Sequence, residues 1–227
     1  MKKPAGLLVA LAVIGFLWWL APGGPVNHAV PVSGLPWQVE VLPGGSARVF
    51  GLTLGDTTLG EAFNCLGGGL DVAVVARGSE AGALEAYLSD FSAGPLTGKL
   101  VLGVEAEAGA VARYRERATK SAYMDSGARR FTLHPDDLKD AQRARIAAIT
   151  FIPSANLDAE TALKRFGAPS ERVRAGEHAE HLLYPHLGLD LLLDAKGKEV
   201  LQYVAPREFE RLRAPLHRGS GTGDRDS

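Results

Sequence analysis

His178, His181 and His186 sit within nine residues of one another, among Glu177, Glu180 and Asp190. This is the chain's one concentration of side chains able to ligate a metal or move a proton. A zinc centre needs three or four such ligands converging on a point about 2 Å from each. A strand across Glu177 to Tyr184 would turn His178 and His181 to opposite faces, and the spacing matches no metal signature. In a loop the geometry is open. The plainer reading is a hydrophilic turn leading into a buried strand. The alternative is an envelope hydrolase or metal-dependent enzyme using the His178–Asp190 region.

Cys65 is the single cysteine. A reactive thiol needs a histidine or a helix amino terminus to lower its pKa, whereas Cys65 falls near the carboxyl end of a predicted helix. It reads as a semi-exposed bystander. Gly67-Gly68-Gly69 follows that helix, while a phosphate-cradling loop must precede one, so the triplet is a helix stop. No Gly-x-Ser-x-Gly or Ser-x-x-Lys string is present. The sequence therefore assigns no catalytic, metal or cofactor-binding residue and implies no cofactor. In Tyr184-Pro185-His186-Leu187-Gly188-Leu189, a turn leads into a strand with Leu189, Leu191 and Leu193 on one face, which core packing explains.

The elements that must carry these residues show an internal echo. Thr58 to Gly67 aligns with Asp158 to Gly167: each opens on an N-cap residue and closes on glycine. Leu59, Ala62, Phe63 and Leu66 match Ala159, Ala162, Leu163 and Phe166 at helical spacing. Gly98-Lys99-Leu100-Val101-Leu102 matches Gly197-Lys198-Glu199-Val200-Leu201, with Tyr87 and Tyr184 between the blocks. The shared order points to a duplication. Each copy reads as a lead-in strand, a helix and a three-stranded antiparallel meander. Ala73 to Val75, Leu84 to Leu88 and Lys99 to Val104 form the first meander. Arg172 to Arg174, then Ala179 to Tyr184 or Leu189 to Leu193, then Glu199 to Val204 form the second, after lead-in Ile149 to Ile152. Asp194 to Gly197 makes the last hairpin turn.

The predicted class is α+β: two tandem helix-plus-meander units joined by a helical linker and preceded by a transmembrane helix. The units span 36–106 and 149–206, with the linker at 107–148. Linker helices are expected over Glu107 to Lys120 and from Pro135 to about Ala148. A short helix, Arg207 to Arg213, and a polar tail, disordered from His217, fill 207–227.

The second copy, from Asp158 through Phe166-Gly167-Ala168-Pro169 to Leu182-Leu183-Tyr184 and Gly188 to Leu193, resembles the SmpA/OmlA family. These are small outer-membrane lipoproteins that accompany β-barrel assembly, with a helix ending near Leu-Gly-x-Pro before a Tyr-bearing strand. The tandem arrangement looks like the secreted β-lactamase inhibitory proteins. The chain lacks the lipid-bearing cysteine of the first and the disulfides of the second. The resemblance covers about a quarter of the chain. It implies a fold and a protein-binding habit, and transfers no functional residue.

Address is legible at the other end. Ala5 to Ala21 is uninterruptedly apolar behind Lys2 and Lys3, and about 17–25 such residues cross a bilayer. The lysines favour a cytoplasmic amino terminus, and Trp18 and Trp19 suit the far interface. A cleaved signal peptide is the rival, but cuts after Ala21 or Ala29 leave Trp19 or Asn27 at a position that wants a small residue. The expectation is a signal-anchor over 1–21, a Pro/Gly-rich tether over 22–35, and a periplasmic domain on the bacterial inner membrane. With no intrachain disulfide possible, packing must hold the fold.

Of 227 residues, 46% are hydrophobic and 22% charged, with net charge −1. That excludes the basic excess of a nucleic-acid binder. Residues 31–110 hold three basic and nine acidic side chains, and 111–148 hold nine and five. Arg113, Arg115, Arg117, Arg129 and Arg130 read first as a solvated face or as partners of the acidic unit. The sharper reading is contact with anionic lipid or an acidic protein. Arg113 and Arg117 share a helix face that Arg115 leaves. The expected partner is another envelope protein.

Overall fold

The computed structural model describes residues 34–124 and 126–219, and its first elements form a small antiparallel sheet. β1 (Glu40–Leu42), β2 (Ser46–Val49) and β3 (Leu52–Thr53) lie side by side. Phe50 and Gly51 close the β2–β3 turn, both at positive φ, 52° and 81°. Two positive-φ residues suit a tight hairpin, but phenylalanine is an outlier in that region. The strain is offset by packing. The Phe50 ring is buried, 5.1 Å from Phe91, 5.5 Å from Phe151 and 6.0 Å from Tyr203.

Helix α1 (Leu59–Cys65) follows, opened by a capping box in which Thr58 and Glu61 satisfy each other's backbone N–H. Then come β4 (Asp71–Ala76), β5 (Ala83–Ala93) and β6 (Leu96–Glu105). Leu84 and Ala86 alternate with Glu85 and Tyr87, and Leu100, Leu102 and Val104 with Val101 and Gly103. Each strand thus buries one face. Next are α2 (Ala110–Glu116), β7 (Lys120–Tyr123), β8 (Arg129–Thr132), α3 (Pro135–Ala141) and β9 (Arg145–Pro153). The last part holds α4 (Ala159–Phe166), β10 (Glu171–Arg174), β11 (Ala179–Tyr184), β12 (Leu189–Asp194), β13 (Val200–Val204) and α5 (Glu210–Gly219).

Strands β4 to β13 make one antiparallel sheet in the order β10-β11-β12-β13-β9-β6-β5-β4-β8-β7. The chain is therefore α+β. The expected units at 36–106 and 149–206 share this sheet, because β6 pairs with β9 from Gly98↔Pro153 to Glu105↔Arg145. Gly98 serves that seam: a Cβ there would collide with the Ile152 carbonyl. The second meander has four strands rather than three. Both Ala179–Tyr184 and Leu189–Asp194 are strands, joined through a 3-10 turn at Pro185–Leu187. Gly188 ends that turn at φ 68°, where a side chain would run into the Val204 carbonyl.

The helical linker at 107–148 is corrected. α2 and α3 are each seven residues long, and the β7–β8 hairpin lies between them. Val74 of β4 draws Phe131 into register beside it, and burying that ring outweighs the local charge. The second linker helix stops at Ala141, because the apolar residues from Ile146 to Phe151 follow strand spacing about a bulge. Arg207 lies in a 3-10 turn, Pro206–Glu208, before the longer α5, so His217 is helical rather than disordered. The signal-anchor at 1–21, the tether at 22–35 except Gly34 and Leu35, and the tail beyond Gly219 lie outside the described residues. Among those described, no helix is long and apolar enough to cross a membrane.

One face of the sheet carries the main core, with α1, α4, β2 and β3 packed on it. Ala62 and Ala162 are both fully buried there. Tyr203 donates from its buried hydroxyl to the Pro36 carbonyl at 2.8 Å, and burial drives its pKa well above the usual tyrosine value. On the other face, Phe209, Leu212 and Leu216 around α5 meet Leu183 and Val204. Tyr87 and Tyr184 do not correspond: Tyr184 is in the main core, and Tyr87 lies on the opposite face beside Glu85.

Candidate functional site

The histidines are not brought together. His181 lies in β11 with Nδ1 2.9 Å from both carboxyl oxygens of Asp190 on β12. Register places Asp190 opposite Leu183, two residues from His181, so the pair bridges diagonally on the α5 side of the sheet. Asp190 keeps 3% of its side-chain surface exposed and His181 15%. His178 stands outside the strand, its Nε2 3.7 Å from the exposed Glu177. His186 is in the 3-10 turn, its ring 6.3 Å from that of Tyr184. Among the described residues, no three of His, Cys, Asp and Glu are grouped to hold a metal ion.

A carboxylate on Nδ1 orients an imidazole and sets its tautomer, half of what a general base requires. His181 borders a space of about 400 Å³ between the β10–β11 hairpin and α5, walled by Val173, Gly176, Pro215 and Leu216. Among the described residues, none that lines it carries a hydroxyl or thiol. Cys65 is exposed at the end of α1 and forms no disulfide. The adjoining glycines take positive φ as the helix ends, with the Gly68 N–H donating to the Phe63 carbonyl.

The arginines of the linker all have partners within the chain. Arg113 reaches Asp140 at 3.0 Å and Arg117 reaches Asp137 at 3.1 Å, both across to α3. Arg115 turns the other way, donating to the carbonyls of Glu80 and Ala81 with its guanidinium over the Phe131 ring. Arg129 donates to the Ser121 hydroxyl, and Arg130 pairs with Asp71. Tyr114 donates to Asp140 at 2.8 Å. Its burial, then that bond, pushes the tyrosine pKa up to about 12, while the same bond holds Asp140 below the usual carboxylate range. These side chains tie α2 and β8 into the sheet.

The sequence reading missed β7. All four of its residues are exposed, Tyr123 at 79%, and Met124 beyond it is 41% exposed. Among the described residues it pairs with β8 alone, which leaves its outer edge open. The Met124 N–H donates inward to Ala128 at 2.8 Å. By antiparallel alternation the N–H groups of Ser121 and Tyr123 then face outward. The opposite edge differs: Glu171 of β10 is held by Arg213 at 2.9 Å and His217 at 3.0 Å, both on α5. Phe131 between polar neighbours was the one strand signal in this stretch. No family model, curated protein or solved structure matches the chain.

Proposed function

We propose that this chain is a protein-binding or scaffolding module of the bacterial envelope, held at the inner membrane through residues 5–21, whose edge strand β7 accepts an extended segment of another envelope protein. The observation that carries the reading is the edge of β7, unpaired among the described residues and exposed at all four positions. An edge strand presents unpaired donors and acceptors that a partner strand can satisfy. Tyr123 and Met124 add apolar surface where such a strand would lie. Four residues of edge supply few hydrogen bonds, which suits a tethered module whose partner shares its membrane, because tethering raises effective concentration. The resemblance to SmpA/OmlA lipoproteins and β-lactamase inhibitory proteins supports the same habit.

Ser121→Pro tests it. Proline there removes an outward N–H while leaving the β7–β8 ladder intact. Loss of the proteins that copurify with the wild-type chain, with an unchanged unfolding curve, supports the reading. Undiminished copurification contradicts it.

The tandem reading belongs to the same proposal. It is supported by the matched burial of Ala62 and Ala162, and by β6 and β13 flanking β9 on either side. Phe63 and Leu163 part company, one packed on the core and the other 37% exposed. A second functional reading, an envelope hydrolase in the His178–Asp190 region, has the His181–Asp190 bond in its favour. Hydrolysis by the purified chain that His181→Ala abolishes would support it over the binding module.

A further inference from the structure

Glu199, at the mouth of β13, is 6% exposed, and its Oε2 has no hydrogen-bond partner among the described residues. It lines a cleft of about 650 Å³ on the core side of the sheet, where the hairpin ends pass the amino-terminal end of α4. Asp158, Glu177, Glu180 and Asp194 line the same cleft, and three of them already accept a bond within the chain. Asp158 accepts from the Thr161 N–H at 2.7 Å, a bond that holds its carboxyl below the usual range. Asp194 accepts from the Lys196 N–H at 2.9 Å, and Glu180 from Arg172 at 2.8 Å. Glu177 is exposed beside His178. Arg174 borders the cleft but forms no ion pair with Glu199 among the described residues.

A buried carboxyl oxygen without a donor loses its hydration and finds no replacement among the described residues. What would complete Glu199 is a group bringing its own N–H donors into walls dominated by carboxyls. A bare metal ion does not suit, since no three ligating side chains are grouped here among the described residues. Leu157, Ala159 and Leu193 supply an apolar lining for a short hydrocarbon chain, and the volume is that of a small-molecule site. We infer that this cleft binds an alkylammonium group, the ammonium donating to Glu199 and its methylenes lying along Leu157, Ala159 and Leu193. Free amines and lysine side chains share that chemistry.

The test uses the purified full chain in detergent, titrated by calorimetry with spermidine and with Nα-acetyl-lysine methylamide. The wild type is expected to bind at least one of them, with affinity falling as salt rises. Glu199→Gln should weaken binding on the order of tenfold or more. Spermidine alone binding identifies a free amine as the source, and the lysine amide alone binding identifies a protein side chain. Without ligand, Glu199→Gln should raise Tm, since the orphaned carboxyl is removed, which also shows that the variant folds. No binding of either probe at millimolar concentration, or binding that Glu199→Gln leaves unchanged, overturns the inference. So does equal binding of the Nε-acetylated lysine amide.

Discussion

Leu100 of β6 and Leu201 of β13 are register partners of the same residue, Phe151 of β9, approached from opposite sides. Phe151 is fully buried and also meets Phe50 and Phe91. Phe151 thus sits where the two halves of the chain meet, on the β6–β9 ladder at the centre of the sheet. Phe151→Ala should destabilise the protein by about 3–5 kcal/mol. Urea unfolding of wild type and variant should each show a single transition, because the halves share a core. Two separated transitions would mean that they fold independently.

Glu85 stands half-buried on the opposite face, between Ala73 and Gly103 of the neighbouring strands. Burial raises its pKa. A raised folded-state pKa gives a contribution fully present below the unfolded value and lost as pH rises through the folded one. Glu85→Gln should therefore be more stable than wild type at neutral pH. The advantage should shrink as pH falls through the raised value toward the ordinary glutamate one, and be gone below it. Thermal melts across that range check it, and an advantage constant with pH would contradict it.

Tyr114 and Asp140 tie α2 to α3, with shifts in opposite directions. Asp140, depressed, contributes stability above its unfolded pKa that is lost as pH falls through the folded value. Tyr114, raised, contributes stability up to the ordinary tyrosine pKa that is lost as pH climbs toward about 12. Tyr114→Phe should cost about 1 kcal/mol at neutral pH. It should cost less in the Asp140→Asn background, which a double-mutant cycle measures.

Local signals made much of this fold legible. Thr58 and Asp158 cap α1 and α4 as their side-chain chemistry suggests. Leu84 to Val104 alternate as strands, and the Asp194 to Gly197 turn joins β12 to β13. What escaped depends on distant neighbours. Arg129 and Arg130 read as a solvated basic run, yet Phe131 between them and Thr132 finds Val74 and becomes strand. Phe50 occupies a backbone region that its type disfavours, held by rings 41, 101 and 153 positions away. The His181–Asp190 bond was hidden because pairing β11 with β12 places residues nine apart on one face. The unfilled donor requirement of Glu199 is visible only once its surroundings are built.

Truncating His181 should leave Asp190 buried without its partner. His181→Ala is expected to cost about 2–4 kcal/mol, with Asp190→Asn in the same chain restoring part of the loss. Equilibrium denaturation of the single and double variants checks this. Purely additive losses would mean that the two side chains act independently.

The central claim, capture of a partner strand by β7, is tested most directly by a photoreactive amino acid placed at Tyr123 in the full chain in cells. Illumination should yield a discrete adduct with another envelope protein, and Ser121→Pro should abolish it. A probe at Leu163, exposed on α4, should give none. Absence of any adduct from position 123, or the same adduct from both positions and unaffected by Ser121→Pro, would contradict the account.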